Sequence, residues 1–234
     1  MELQVAVAKV AKWANHESGD TLEMIERPHG GLSFVLADGQ HSGRGAKSIS
    51  NLVARKALQL LAEGVRDGAA ARAAHDYLLA LRQGKVSATL NIASVDLDTK
   101  TLVLSRNNPA PAIVLGPGGV RVLGEESRPV GLYKNTKPVI TELPLDVNTA
   151  LIVYTDGLPN AGVRRGQRLD VAAAVERRWA NGPLDARAWA DGLLAEALQL
   201  DEDRPADDIS VLVVTVVPHS GDAARRLSLN VPIG

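Results

Sequence analysis

Cysteine is absent from this 234-residue chain. Without thiols the protein can form neither disulfides nor thiolate metal sites, and chemistry that needs a cysteine nucleophile is excluded. Aromatic residues make up only 3% of the sequence, although 45% of it is hydrophobic. The core must therefore be built from Ala, Val, Leu and Ile, and an aromatic platform for single-stranded nucleic acid is not expected.

A strong net charge and long apolar runs are also missing. The formal net charge is −1, so the chain lacks the electrostatic footprint of a nucleic-acid-binding protein. No apolar run reaches transmembrane length, and the N-terminal segment, Met1 to Lys9, carries early charge and does not resemble a secretory signal. We therefore expect a cytoplasmic protein that binds neither nucleic acid nor membranes.

Three acidic motifs lie at the ends of apolar, strand-like segments. Ala37-Asp38-Gly39 and Thr155-Asp156-Gly157 each follow such a segment, and Asp207-Asp208-Ile209-Ser210 precedes one. Taken singly, an Asp-Gly pair after a strand is better explained as a turn, because glycine adopts positive φ and aspartate caps its own backbone. Three separate acidic strand ends around one core together favour a site for a hard divalent cation.

A ligand set made only of carboxylates favours Mg²⁺ or Mn²⁺ over zinc. Two such ions that share a bridging carboxylate can lower the pKa of a water molecule and neutralise phosphate charge, so that water attacks phosphorus directly. Asp38 is the best candidate for the bridge, because the carbonyl of Gly39 can approach a second ion without hindrance from a Cβ atom.

The hydrophobic pattern predicts groups of strands and helices. It predicts strands at 3–13, 32–36, 87–97, 101–105, 111–115, 120–123, 138–143, 149–154 and 209–217, a helix after Gly43, and helices at 69–82, 169–180 and 185–200. Segment 14–30 is predicted to be a loop, and the middle strands have the spacing of an antiparallel meander. We expect an α+β fold, an α-β-β-α four-layer sandwich of two antiparallel sheets flanked by pairs of helices. Residues 1–217 would form one domain and 218–234 a C-terminal tail.

The order of the motifs resembles that of the metal-dependent Ser/Thr protein phosphatases of the protein phosphatase 2C superfamily. The motifs are Ser18-Gly19-Asp20, Asp38-Gly39-x-x-x-Gly43, Thr155-Asp156-Gly157 and Asp207-Asp208-Ile209-Ser210. More narrowly, the chain resembles the bacterial branch of stage II sporulation E type. Similar strings in that branch match Ser87-Ala88-Thr89-Leu90, Asn108-Pro109-Ala110-Pro111 and Pro129-Val130-Gly131-Leu132. The resemblance covers most of the chain and implies hydrolysis of phosphoserine and phosphothreonine in proteins.

The resemblance also implies roles for individual residues. Asp38 would bridge two Mn²⁺ or Mg²⁺ ions, and the carbonyl of Gly39 would bind one of them. Asp156 and Asp207 would complete the ligands of the other. Asp20 would act near the site through water bound to a metal. Asp38 and Asp20 are thus the expected catalytic carboxylates.

The chain departs from the pattern of the superfamily in two places. Gln40 stands where eukaryotic members have a histidine, and His41 follows it. His41 is either a general acid or, as we favour, a group that forms a hydrogen bond at the helix start. The arginine with which eukaryotic members hold phosphate is not evident before Asp20. His16 or Lys12 could replace it, although a solvated loop and a strand face explain these two residues better.

Two further features have alternative explanations. Asp208 matches a position that is often Asn in the wider superfamily, and it is a candidate for a supporting role behind the ligands. The helix after Gly43 bears basic side chains on one side: Arg44, Lys47, Arg55 and Lys56. This side is either a docking surface for a protein substrate that controls activity, or simply a solvated face.

Similar proteins that consist of the catalytic domain alone include the feedback phosphatase of bacterial stress signalling through the stressosome. The resemblance therefore implies a phosphorylated protein substrate with a sulfate-transporter/anti-sigma-antagonist domain of the partner-switching type. Two alternatives stay open. One is another two-metal phosphohydrolase that acts on nucleotides or small phosphate esters, against which the motif order and the near-zero charge argue. The other is a non-catalytic pseudophosphatase that serves as a binding module, against which the intact acidic set argues.

Overall fold

A computed structural model describes residues 1–232, apart from the side chain of His29. In the described residues, ten strands form two five-stranded antiparallel sheets, and four α-helices lie outside them. In chain order the elements are β1 (Glu2–Val10), β2 (Asp20–Glu26), β3 (Leu32–Gly39), α1 (Gly43–Ala62), α2 (Asp67–Arg82), β4 (Ala88–Asp96), β5 (Thr101–Asn107), β6 (Ala112–Gly116), β7 (Gly119–Leu123), β8 (Val139–Pro144), β9 (Thr149–Tyr154), α3 (Val171–Asn181), α4 (Ala186–Leu200) and β10 (Ile209–Val217).

The first sheet has the strand order β1-β10-β9-β6-β7, and the second has the order β2-β3-β4-β5-β8. Alternate residues of a strand point to opposite faces, so Leu151 packs between the two sheets while Ile152 packs under α3 and α4. Helices α1 and α2 cover the outer face of the second sheet, where they pack on Val35 and Ile92. The predicted α-β-β-α sandwich is therefore confirmed.

Segment 14–30 was predicted to be a loop, and this prediction was wrong for its second half. Strand β2 occupies Asp20–Glu26 at the edge of the second sheet, where Leu22 and Met24 pack toward the inter-sheet core. Only a short alternating stretch marks the strand, and the turn residues on either side of it, such as Gly19 and Pro28, hide that signal.

The middle strands do not form a simple meander. The chain leaves the second sheet after β5, forms β6 and β7 in the first sheet, returns to the second sheet for β8 and crosses again for β9. Hydrophobic alternation identifies each strand but carries no information on which of two stacked sheets it joins.

Strand β10 ends at Val217, and residues 218–232 form neither helix nor strand. The division into a domain of residues 1–217 and a tail of residues 218–234 stays a prediction, and the last two residues of that tail lie outside the described residues. None of the helices within residues 1–232 combines the length and the apolar composition needed to cross a membrane.

Candidate active site

Asp20 and Asp38 face each other on neighbouring strands of the second sheet. They are direct partners in the antiparallel register of β2 and β3, so their side chains project on the same side, with Cβ atoms about 5 Å apart. Asp20 is fully buried and Asp38 is half-buried. The sequence marked Asp20 only through its motif, and the pairing follows from the strand that the pattern did not predict.

The first sheet contributes Asp156 and Asp207. Thr155, directly after β9, donates its amide to the carbonyl of Ser210 in β10 at 3.1 Å, which holds these two strand ends side by side. The side chain of Asp156 is exposed and that of Asp207 is half-buried. Both carboxylates lie near enough to act electrostatically on Asp38. The structure thus brings together the four aspartates that the sequence singled out.

The four carboxylates repel one another. Burial, followed by the negative charges of Asp20, Asp156 and Asp207, raises the pKa of Asp38 to about 9. Burial also raises the pKa of Asp20 to about 6, although hydrogen bonds from two hydroxyl groups oppose this rise. Such a cluster disfavours full ionisation by itself, and a bound cation reverses that preference.

One oxygen of the Asp20 carboxylate is held by the other sheet. Oδ2 accepts hydrogen bonds from the hydroxyls of Thr155 at 2.9 Å and Ser210 at 2.6 Å. Oδ1 is buried and has no hydrogen-bond partner in the described part of the chain. A buried polar atom without a partner is costly unless a ligand or water satisfies it. The two hydroxyls therefore orient a carboxylate whose second oxygen is available for binding.

Two lysines beside Asp20 were not predicted. The ammonium groups of Lys9 and Lys47 both donate to its backbone carbonyl, at 2.6 Å each. Burial, together with the positive charge of Lys47, lowers the pKa of Lys9. Lys47 is half-buried and its ammonium group also donates to the hydroxyl of Thr21 at 3.1 Å, so a purely solvated face, one of the two explanations for the basic side of this helix, does not apply to Lys47. Both contacts join segments distant in sequence, and no local pattern indicates them.

Both Asp-Gly pairs need glycine, because backbone carbonyl groups from other segments lie where a Cβ atom would be. A Cβ atom on Gly39 would lie 2.0 Å from the carbonyl oxygen of Ala46 in α1, and one on Gly157 would lie 2.1 Å from the carbonyl oxygen of Asp208. Neither glycine is among the residues with positive φ. Positive φ therefore explains neither glycine, although Asp156 and Gly157 do lie in a turn, in which the amide of Leu158 donates to the carbonyl of Thr155 at 3.1 Å. Gly39 lets the first turns of α1 pack directly against the end of β3.

Asp208 supports the site from behind. Its Oδ1 accepts a hydrogen bond from the amide of Lys12 at 2.9 Å, and its Oδ2 accepts one from the amide of Gly19 at 2.8 Å. The carboxylate thus fixes the backbone on which Asp20 is mounted. In this arrangement Lys12 contributes its amide, and a role of its side chain in place of the arginine stays a prediction.

His41 is exposed and lies in the left-handed region, with φ of 74°. The helix-start hydrogen bond that we favoured for it is not found within residues 1–232, and Ser42, the residue before α1, also caps no amide with its side chain. His16 is exposed as well. A role for either histidine in proton transfer or phosphate binding stays untested.

A buried arginine braces the strand end that carries Asp156. Arg106 is 2% exposed, and its guanidinium donates to the backbone carbonyls of Asn108, Ala110 and Glu125. The side chain of Asn108 in turn donates to the carbonyl of Tyr154, the last residue of β9, at 3.2 Å. The segment Asn108-Pro109-Ala110-Pro111 was identified only by its resemblance to the family. No pattern in the sequence indicates the role of Arg106.

The donor set fits a hard divalent cation. Carboxylate oxygens are the ligands that Mg²⁺ and Mn²⁺ prefer, and both the mutual repulsion at Asp38 and the free Oδ1 of Asp20 would be relieved by a bound cation. Within residues 1–232, no three acidic or histidine side chains already form a compact ligand cluster.

Three solved structures place this architecture in a known class. The PP2C phosphatase domain of the cell-fate determinant SpoIIE from Bacillus subtilis, with a fragment of its regulatory domain, is 19% identical, with a TM-score of 0.80 over 94% of this chain and 64% of that one. The RsbU and RsbW domains of a Mycobacterium tuberculosis protein are 19% identical, with a TM-score of 0.70 over 94% of this chain and 61% of that one. The catalytic domain of the serine/threonine phosphatase PstP with two manganese ions is 17% identical, with a TM-score of 0.68 over 92% of this chain and 99% of that one.

At these identities the similarities define the fold, which is that of the PP2C phosphatases. The model of the family of stage II sporulation protein E (SpoIIE) matches residues 28–217. The chain therefore belongs to the SpoIIE family, and the predicted resemblance is confirmed. The matched range includes Asp38, Asp156 and Asp207, whereas Asp20 precedes it. No curated protein matches the sequence significantly.

Proposed function

We propose that this protein is a metal-dependent serine/threonine phosphatase that hydrolyses phosphoserine and phosphothreonine in proteins. The observation that carries the proposal is the convergence of four aspartates from both sheets, with Asp38 acted on by the other three negative charges. Membership of the SpoIIE family and the PP2C phosphatase fold support it. So does the binding of two manganese ions by a structural relative.

Two Mn²⁺ or Mg²⁺ ions would be held by the residues that gather at the strand ends. Asp38 would be shared by both, the carbonyl of Gly39 would bind one, and Asp156 and Asp207 would bind the other. When bound, such ions neutralise phosphate charge and lower the pKa of water. No covalent intermediate on the protein is then needed.

The other residues of the site would position the reactants. Thr155 and Ser210 hold Oδ2 of Asp20, so Oδ1 is directed to accept a hydrogen bond from a water molecule in the site. Lys9 and Lys47 place two positive charges beside the carboxylates, where they would attract the phosphate dianion of a substrate.

We further propose that the substrate is a phosphoprotein of partner-switching signalling, with a sulfate-transporter/anti-sigma-antagonist domain. The support is the family membership and the likeness to a structure that contains RsbU and RsbW domains. Incubation with phosphorylated candidates of this class, followed by phosphate release, tests this part of the proposal separately from the chemistry.

The chemistry is tested with a chromogenic phosphate ester and a phosphoserine peptide. Wild type should hydrolyse both in Mn²⁺ or Mg²⁺, lose this activity in EDTA, and lose it in the Asp38→Asn variant, because a shared ligand with one charge fewer weakens both ions. Asp98→Asn, the same change in an exposed hairpin turn, is the matched control. Full activity in EDTA, a stronger activity on nucleotides, or stoichiometric metal binding without turnover would each overturn the proposal.

A further inference from the structure

A groove with basic walls runs along α1, and Tyr77 of α2 and Glu17 of the segment before β2 complete its lining. Its volume is about 650 Å³, and its lining includes Arg44, Lys47, Arg55, Lys56, Tyr77 and Glu17. We call this the basic groove. Four of the ten lining residues are cationic and one is acidic, although the whole chain has a net charge of −1. Positive charge is thus concentrated at one place on a nearly neutral protein.

The cations of the basic groove have no acidic partner within the described residues. Arg44, Arg55, Lys47 and Lys56 form no ion pair there, whereas exposed arginines elsewhere, such as Arg177, do. Lys56 lies over the ring of Tyr77, with its Nζ 5.8 Å from the ring centroid. This contact orders the lysine and leaves its charge unneutralised. Unpaired cations lined up in a groove are complementary to an acidic chain segment.

One end of the basic groove lies beside the strand end that carries Asp20. Lys47 lines the groove and also donates to the carbonyl of Asp20. Arg44 is in the first turn of α1, which begins four residues after Gly39. From Lys47, the groove follows α1 to Arg55, eight residues or about 12 Å further along the helix. An extended peptide spans that distance with about four residues.

We propose that the basic groove binds an acidic segment of the phosphoprotein substrate, a few residues away from the phosphorylated side chain. This inference rests on the proposed phosphatase function and adds to it the location and the chemistry of substrate docking. A phosphoserine in the active site would place the adjoining chain over Lys47, and acidic side chains further along would meet Arg55 and Lys56. The groove would thereby favour substrates with acidic residues beside the phosphorylated position.

Synthetic phosphoserine peptides test the proposal. In the first pair, one peptide has four Glu residues after the phosphoserine and the other has four Gln residues there. In the second pair, the four Glu or four Gln residues come before the phosphoserine. Wild type should have a higher kcat/KM for the Glu peptide in at least one pair. Arg55→Glu should reduce that kcat/KM by about three- to tenfold, as expected for one or two partly screened charge pairs. It should leave hydrolysis of the Gln peptides and of a chromogenic ester unchanged.

Arg187→Glu is the matched control, because this exposed arginine lies in α4 on the opposite side of the sandwich. It should not affect any of these substrates. Equal effects of Arg55→Glu and Arg187→Glu, or no preference of wild type for Glu over Gln in either pair, would overturn the proposal.

Binding in EDTA separates this proposal from that of the phosphatase function. A fluorescent peptide with four Glu residues should bind the wild type and the Arg187→Glu variant, and bind Arg55→Glu about three- to tenfold more weakly in anisotropy titrations. If no substrate is hydrolysed but this pattern is found, the phosphatase function fails and the acidic-segment site stands. Sedimentation of the wild type and of Arg55→Glu tests a different occupant of the groove. If the wild type is a dimer and Arg55→Glu is a monomer, a second copy of this chain occupies the groove and the proposal is wrong.

Discussion

Replacing Asp38 by Asn should stabilise the metal-free protein even though it should also abolish activity. With its pKa raised from 3.8 to about 9, Asp38 takes up a proton when the metal-free chain folds at pH 7. This uptake costs about 1.4 kcal/mol for each pH unit above 3.8, which gives an upper limit of roughly 4 kcal/mol. Asn has nearly the same shape and carries no charge, so it avoids this cost.

Relaxation of the loops and penetration of water reduce the gain, and we expect about 1–2 kcal/mol in free energy of unfolding. In a domain of this size, 1 kcal/mol changes the melting temperature by about 2–4 °C. The Asp38→Asn variant should therefore melt about 2–8 °C above the wild type in EDTA.

The pH dependence has a defined sign. A carboxyl group whose folded-state pKa is raised stabilises the fold below its unfolded-state pKa, and that contribution is lost as the pH rises toward the folded-state value. The metal-free wild type should therefore lose stability between about pH 4 and about pH 9 because of Asp38. The variant should show a shallower decline over this range.

Thermal unfolding in EDTA and in Mn²⁺ measures both effects. Ligand at 100 times its Kd adds about 2.7 kcal/mol of stability, so Mn²⁺ should raise the melting temperature of the wild type much more than that of the variant. Asp98→Asn again serves as the control and should melt like the wild type. The reasoning is refuted if the folded Asp38→Asn protein melts at or below the wild-type temperature in EDTA.

Two further substitutions test how the site is built. Gly39→Ala should destabilise the fold by about 1–3 kcal/mol and reduce ester hydrolysis, because the new Cβ meets the carbonyl of Ala46. Gly45→Ala, in α1 with open space around it, should instead stabilise slightly, and equal melting of the two variants would contradict the argument. Asn108→Ala removes the hydrogen bond to the carbonyl of Tyr154. It should weaken Mn²⁺ binding about 10–100-fold, which is the usual effect of losing a residue that holds metal ligands in position without binding the metal itself. Unchanged affinity in calorimetric titration would assign Asn108 to the fold alone.

Much of the architecture could be predicted because its signals are local. Asp38, Asp156 and Asp207 each adjoin a long apolar run whose strand character is clear from a few residues. The scarcity of aromatic residues correctly indicated an aliphatic core, and Ala54, Ala57, Ala70 and Ala74 fill the interface of α1 and α2 with the second sheet. Four-layer packing then follows from two sets of strands and two pairs of helices.

The remaining features depend on contacts between distant parts of the chain. The bond from Ser210 to Asp20 spans 190 residues, and the bonds from Lys9 and Lys47 to the same residue come from two different elements. Such contacts leave no periodic pattern. The glycines illustrate the same limit, because the sequence shows that a side chain is absent at Gly39, but only the fold shows that Ala46 occupies the space.

The position of Asp20 connects the active site to the assembly of the whole sandwich. Its backbone is part of the second sheet, whereas the hydroxyls that hold its Oδ2 belong to Thr155 and Ser210 of the first sheet. The carboxylate is therefore oriented only when the two sheets are packed. By the same linkage, a cation held by Asp38 together with Asp156 and Asp207 would join both sheets. It would stabilise the domain as a unit, because any opening between the sheets would have to break its coordination.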